Sequence, residues 1–236
     1  MNYTLIALGI VLLLVIYVLY YVVTNKGKLV TTKLDLSAAG NGSVAYKTLA
    51  NPTSSRYSFS VWMYIDALNA GANNNTDIIN ISTSAAADTT GNFFKLYIDS
   101  STKLKYKMLP TDGPQTDNII MTNCPLQKWV YIIVSVDGKI VDLYYDGKLI
   151  KSQQLEKVPK TTTVDFVITY GNCADSVCKG YLAKFERIPV AMDPTTAWSK
   201  YMEGNGGNYF SKLLSSYGAS FTLTKDSIDL NRYTLF

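Results

Sequence analysis

Asp142 and Asp146, in the run VDLYYDG, are the nearest this sequence comes to a paired-carboxylate site. Retaining glycoside hydrolysis needs two carboxyl groups roughly 5 Å apart, one as acid and one as nucleophile. Asp146 sits in an Asp-Gly pair that reads as a hairpin turn, and no glutamate lies nearby, so the catalytic pattern is missing. There is no histidine anywhere in the 236 residues. That removes the commonest general base, the commonest metal ligand and every nucleophilic mechanism that relies on imidazole. The expectation is a protein that is not an enzyme.

Two loops hold residue types that bind calcium, which takes clustered carboxylate and carbonyl oxygens. They are Asn73-Asn74-Asn75-Thr76-Asp77 and the segment from Asp112 to Asp117. The same residues are typical of solvated turns, so no cofactor is expected, with calcium the one admissible exception. The three cysteines, Cys124, Cys173 and Cys178, are too few for a disulfide framework. Cys173 and Cys178 are near enough to bridge a short loop; the alternative is reduced, partly buried thiols. Their spacing does not suit zinc, and histidine is unavailable to complete a site. A net charge of +4, scattered along the chain, excludes the basic stripe of a nucleic-acid binder.

From Met1 to Asn25 there is no charged side chain. Thr4, Leu5, Leu12, Leu13, Leu14, Ile16, Val22 and Val23 belong to an apolar run of about 20 residues, enough to span a hydrocarbon core of roughly 30 Å as a helix. Tyr17, Tyr20 and Tyr21 gather at its C-terminal end, where aromatic rings favour the membrane interface. A cleaved secretory signal would need a basic start, a shorter apolar run and a small-residue cleavage site. The reading is a retained single-pass transmembrane anchor. Lys26, Lys28 and Lys33 follow it, which by the positive-inside tendency places the C-terminal domain in the cytosol. Asn41, Asn74 and Asn80 each begin a glycosylation sequon, which matters only for a lumenal domain, and the cytosolic reading leaves them unused.

Beyond the anchor the hydrophobic period is two. In Arg56–Ile65, Tyr57, Phe59, Val61, Met63 and Ile65 alternate with Ser58, Ser60, Trp62 and Tyr64, the pattern of a strand with one core face. Asp77–Ser82, Phe93–Asp99, Leu104–Leu109 and Asn118–Thr122 read as further strands. Trp129–Leu155 is broken by Asp137-Gly138 and Asp146-Gly147, two hairpin signals that predict a three-stranded meander with both turn residues at positive φ. Val164–Tyr170 and Gly180–Arg187 add two more strands, Phe221–Leu223 reads as another, and the tail through Phe236 offers a final one. One helix is expected, with Asp193 as N-cap, Pro194 in the first turn and Gly204 as stop; Trp198, Tyr201 and Met202 would pack it on the sheet. The organisation is thus an anchor over 1–25, a juxtamembrane segment or first strand over 26–45, and a domain over 46–236 with a short helix near 194–203 and a C-terminal tail. The fold class is all-β: a two-sheet antiparallel jelly-roll sandwich preceded by one transmembrane α-helix.

Three segments, YSFSVWMYID, KWVYIIVSVDGKIVDLYYDGKLIKS and GYLAKFERIPVAMDPTTAWSKYMEGN, resemble in order and spacing the concanavalin A-like lectin/glucanase superfamily in its laminin-G-like branch. The glucanases of that superfamily carry an E-x-D-x-x-E strand that is missing here. With its single anchor and the tail YGASFTLTKDSIDLNRYTLF, the chain also resembles membrane-anchored minor capsid proteins of large icosahedral DNA viruses such as chloroviruses. That likeness implies a non-enzymatic structural protein linking an internal membrane to the capsid shell. Its partners would be the lipid bilayer and capsid proteins, and in the virion it would lie between the two. The alternative is a membrane-anchored surface lectin or adhesin that binds glycans.

Overall fold

The computed structural model describes residues 3–24, 28–30, 33–37, 40–45, 48–68, 75–82, 92–161, 165–171, 178–205, 220–225 and 228–234. Side chains are described within these ranges except at 3–6, 21–24, 28, 30, 41–43 and 220–234. Helix α1, Tyr3–Thr24, has 22 residues. Leu12, Leu13, Leu14 and Ile16 are all more than half exposed on it, whereas Thr4, Leu5, Val22 and Val23 fall where side chains are not described. Among the described residues no helix is long and apolar enough to cross a membrane; for α1 the described side chains are those of 7–20.

The rest is β-structure, formed by short strands rich in β-branched and aromatic residues. Strands β1 (Lys28–Val30), β2 (Leu34–Asp35) and β3 (Gly40–Val44) lead into the long β4 (Arg56–Leu68). There follow β5 (Thr76–Ser82), β6 (Asn92–Ile98), β7 (Leu104–Met108) and β8 (Asn118–Met121). Next come β9 (Trp129–Asp137), β10 (Ile140–Tyr145), β11 (Lys148–Gln154), β12 (Phe166–Tyr170) and β13 (Cys178–Ile188). Helix α2 (Pro194–Met202) and strands β14 (Ser220–Lys225) and β15 (Ile228–Thr234) complete the chain. One sheet, here sheet A, has seven strands in the order β1-β13-β4-β9-β10-β11, with β2 also on β13. Sheet B has six, in the order β3-β12-β5-β6-β7-β8. All the pairings are antiparallel.

The core lies between these sheets. Tyr57, Phe59, Val61, Met63 and Ile65 face it from β4, as their alternation predicts, and Val130, Ile132, Val134 and Val136 from β9. Phe59 stacks on Phe94 of sheet B at 4.5 Å between ring centroids, tying the two layers together. At one open edge Gln153 of β11 donates to the hydroxyl of Tyr106 and, at 3.1 Å, to Asn118 Oδ1, so hydrogen bonds from a side-chain amide join sheet A to sheet B.

Some expectations are corrected. Only the second Asp-Gly turn has both residues at positive φ, Asp146 at 47° and Gly147 at 77°. In the first, Asp137 belongs to β9 and pairs with Ile140, so the loop is Gly138-Lys139 with only Gly138 at positive φ, as a II′ turn requires. The tail strands β14 and β15 pair with each other in a separate two-stranded sheet and extend neither sandwich sheet. On α2 the buried residue is Ala197, while Met202 is 60% exposed and Trp198 45%. A nine-residue helix turns only a narrow stripe to the sheet, and Ala197 with Tyr201 fills it.

Candidate binding surfaces

Because the even-numbered residues of β4 point away from the core, their types determine what sheet A presents outward. Trp62 stacks on Tyr131 of β9 at 4.9 Å and on Tyr201 of α2 at 5.5 Å, so it is enclosed between strand and helix. The chain reaches α2 along a strap across this face. Ser58 Oγ donates to Val190 O, Met192 N donates to Ser135 Oγ, and Tyr144 OH donates to Met192 O, all at 2.8–2.9 Å. Asp193 then caps the helix by accepting from the N–H groups of Thr195 and Thr196. At the other end Lys184 Nζ donates to Gly204 O at 2.8 Å.

Beside the strap and helix lies a row of partly exposed rings. Tyr181, Tyr64 and Trp129 are cross-strand neighbours on β13, β4 and β9. Their centroids are 6.2 and 5.6 Å apart, and all three are half-buried. Lys33 Nζ stands 3.6 Å from the Tyr181 ring centroid, a close cation–π contact. The result is a twisted aromatic platform with a cation at one end.

The outer face of sheet B is different. Tyr97 is flanked by Lys95 and Lys107, whose ammonium groups lie 5.6 and 5.5 Å from its ring centroid. Those lysines pair with Asp77 at 2.8 Å and Asp117 at 2.9 Å, and Lys105 pairs with Asp99 at 2.8 Å. Charge is therefore balanced pair by pair. Among the described residues, the buried Tyr97 hydroxyl and the buried Asn80 Oδ1 have no hydrogen-bond partner of normal length. Burial, and then the nearby Asp117 carboxylate, hold the Tyr97 pKa above its ordinary value.

Most of the sequence-predicted carboxylates are engaged in ion pairs or turn bonds. Asp146 Oδ1 accepts from Tyr131 N at 2.9 Å and Oδ2 from Lys128 Nζ at 3.1 Å, the bonds of a turn anchor. Asp142 lies opposite Ser135 on the outer side of β10. Of the two candidate calcium loops, Asp77 is paired with Lys95, Asp117 with Lys107, and Asp112 with Lys157 at 3.3 Å. No cluster of metal-ligating side chains occurs among the described residues. Asn41 pairs with Thr169 through its backbone, Asn74 lies outside the described residues, and Asn80 is only 8% exposed in the middle of sheet B. Cys173 also lies outside the described residues; Cys178 is buried and disulfide-bonded. Cys124 is a free, buried thiol whose pKa is pushed up to about 12 by burial. The platform and the Tyr97 patch were not singled out from sequence, although the outward alternation of Trp62 and Tyr64 is the signal for the first.

Two packed antiparallel sheets with aromatic and polar outer faces define a sandwich of the lectin-like class. The family model for the concanavalin A-like lectin/glucanases superfamily matches residues 38–197, and the chain belongs to that superfamily. Comparison with curated proteins gives no match. Among solved structures, the binding domain of botulinum neurotoxin serotype G superposes with a TM-score of 0.57 at 15% identity, covering 76% of this chain and 46% of that one. The receptor-binding domain of the C/D mosaic serotype gives 0.58 at 15%, covering 75% and 44%. The binding domain of botulinum neurotoxin DC, in complex with rat synaptotagmin II, gives 0.55 at 16%, covering 72% and 42%. This chain therefore spans less than half the length of these structures, and at such identity the likeness is one of fold.

Proposed function

We propose that this chain is a membrane-tethered, non-enzymatic binding protein: α1 inserts in a bilayer and the sandwich holds a macromolecular partner. The observation that carries the reading is the joining of an uncharged 22-residue helix, through only residues 25–27, to the edge of a sandwich in which Asp77 and Asp117 are taken up in ion pairs and Asp146 in a turn. Such an arrangement positions and does no chemistry. In its finer form the protein is a minor capsid component that links an internal membrane to the shell. Lipid and capsid proteins are then its partners, the sandwich faces the cytosol of the infected cell, and neither calcium nor another cofactor takes part.

A surface lectin or adhesin is the second reading, and two observations favour it. The Tyr181-Tyr64-Trp129 platform has the amphipathic rings on which a sugar can stack. The disulfide at Cys178 belongs to the chemistry of oxidising compartments. The C/D mosaic neighbour is itself named as a receptor-binding domain, and a role of that kind here would suit either a protein or a glycan partner.

Topology separates the two. The full chain is expressed in cells, glycosylation is assayed at Asn41, Asn74 and Asn80, and protease is added from the cytosol. An unmodified, digested domain supports the capsid reading. A glycosylated, protected domain overturns it in favour of the lectin. A chain that washes off the membrane overturns the tether in both.

A further inference from the structure

The register of β1 on β13 determines which end of the sandwich lies nearest the anchor. Thr24 ends α1 and Lys28 begins β1, so their Cα atoms are at most about 15 Å apart. Lys28 pairs with Glu186, two residues before β13 ends at Ile188, and the chain then runs away from that end until Asp35 pairs with Tyr181. Ile188 is opposite Ser58, Arg56 is opposite Asp137, and Asp137 is opposite Ile140. The end of β13, the start of β4 and the Gly138-Lys139 turn therefore form one rim. Lys179 lies at the far end of β13, about 30 Å away along the strand.

This rim has the character of a surface that meets lipid headgroups. Val190 is 54% exposed and Ile140 50%, although most large apolar side chains of the sandwich are buried. Lys139, exposed at the turn, makes no ion pair among the described residues. Arg56, paired with Asp137 at 3.1 Å and 65% exposed, is a second cation on the same rim. Exposed apolar side chains with adjoining cations are the elements of interfacial binding to an anionic membrane surface.

We infer that the sandwich stands end-on upon the bilayer that holds α1, with the Arg56, Gly138-Lys139 and Val190 rim against the headgroups. The opposite rim, with the Asp146-Gly147 turn and the start of β13, faces outward to the partner. This rests on the membrane-tether reading above.

Full-length protein in liposomes, labelled at Lys139→Cys or Lys179→Cys, tests it with headgroup-nitroxide lipids as short-range quenchers. Both positions are exposed, and the native Cys124 thiol is buried against labelling. The expected result is quenching several-fold stronger at 139 than at 179, reduced by Ile140→Glu with Val190→Glu. A sandwich lying on its β1 edge gives the reverse order, because Lys179 is on the strand beside that edge and Lys139 is several strands away. Equal or reversed quenching overturns the inference and leaves the tether standing. Failure of the chain to float with liposomes removes the tether, and the inference with it.

Discussion

Arg187 lies with its guanidinium carbon 5.0 Å from the centroid of the Tyr57 ring. It also donates to the backbone oxygens of Ala50 at 3.0 Å, Asn51 at 3.2 Å and Pro52 at 3.3 Å. The residue is 4% exposed, so burial and not a neighbouring charge dominates its environment, and it pulls the pKa below the usual arginine value. One side chain thus fastens the crossing from sheet B into β4 against β13. Arg187→Ala leaves three carbonyls without their donor and empties space over Tyr57. We expect a loss of about 3 kcal/mol by denaturant titration. Arg187→Lys should recover only part of it, because an ammonium group cannot reproduce the planar fork.

Helix α2 is held to sheet A by aromatic stacking more than by its own length. Trp62→Ala removes the ring between Tyr131 and Tyr201 and should cost about 3–5 kcal/mol. Gly147 tests the same packing from the other side. Its φ is +77°, and a Cβ there would stand 3.0 Å from Trp198 and from Tyr201. Gly147→Ala should therefore lower the midpoint of thermal unfolding and raise proteolysis near α2, with the far-UV β signal retained.

Stability should be nearly constant between pH 5 and 8, since the chain has no histidine. Acid is another matter. Burial pushes the Asp99 pKa up, but bonds from Lys105 and from the N–H groups of Lys103 and Ser101 outweigh it and leave the value below the ordinary one. Asp117 is likewise raised by burial and lowered further by Tyr97 and Lys107. Carboxylates depressed in the folded state contribute stability that is complete above their unfolded pKa of about 3.9 and is lost as pH falls through the folded value. Chemical denaturation at stepped pH should show a flat region and then a decline beginning below about pH 4.

Calcium should leave the melting temperature unchanged, and so should chelation. A calcium ion at either candidate loop would have to displace Lys95 from Asp77, or Lys157 and Lys107 from Asp112 and Asp117. Scanning calorimetry with millimolar calcium and then with chelator measures this directly. A calcium-dependent rise would bring back the calcium-lectin reading.

Much of the sandwich is legible in the sequence because alternate residues of each strand turn apolar side chains to one shared core. The Tyr57-to-Ile65 alternation marks the core side of β4, and the Asp146-Gly147 pair marks a turn that needs two positive φ angles. The early strands were hidden, since β1 and β2 are very short and Gly-Asn-Gly in β3 reads as a loop. The candidate surfaces are harder still to read. The Tyr181-Tyr64-Trp129 row joins residues far apart in the chain, and register alone brings them together. Likewise, nothing local marks Asp112 and Asp117 as lysine partners rather than calcium ligands.

Asp146 offers the sharpest division between a turn and a catalytic carboxylate. Its φ of 47° is one that asparagine, aspartate and glycine tolerate best, and its carboxylate binds Tyr131 N and Lys128. If its role is structural, Asp146→Asn keeps both the backbone preference and an acceptor for Tyr131 N, and should change stability by less than about 1 kcal/mol. Asp146→Ala loses both and should cost about 1–2 kcal/mol. A catalytic carboxylate would reverse the emphasis: Asn and Ala would abolish activity alike, with stability a secondary matter. Incubating wild type and both variants with β-glucans, beside denaturant titration, gives the two readouts together. We expect no hydrolysis from any of the three and a stability order of wild type, Asn, then Ala. Glucan hydrolysis that disappears in both variants would make Asp146 a catalytic group and the protein an enzyme.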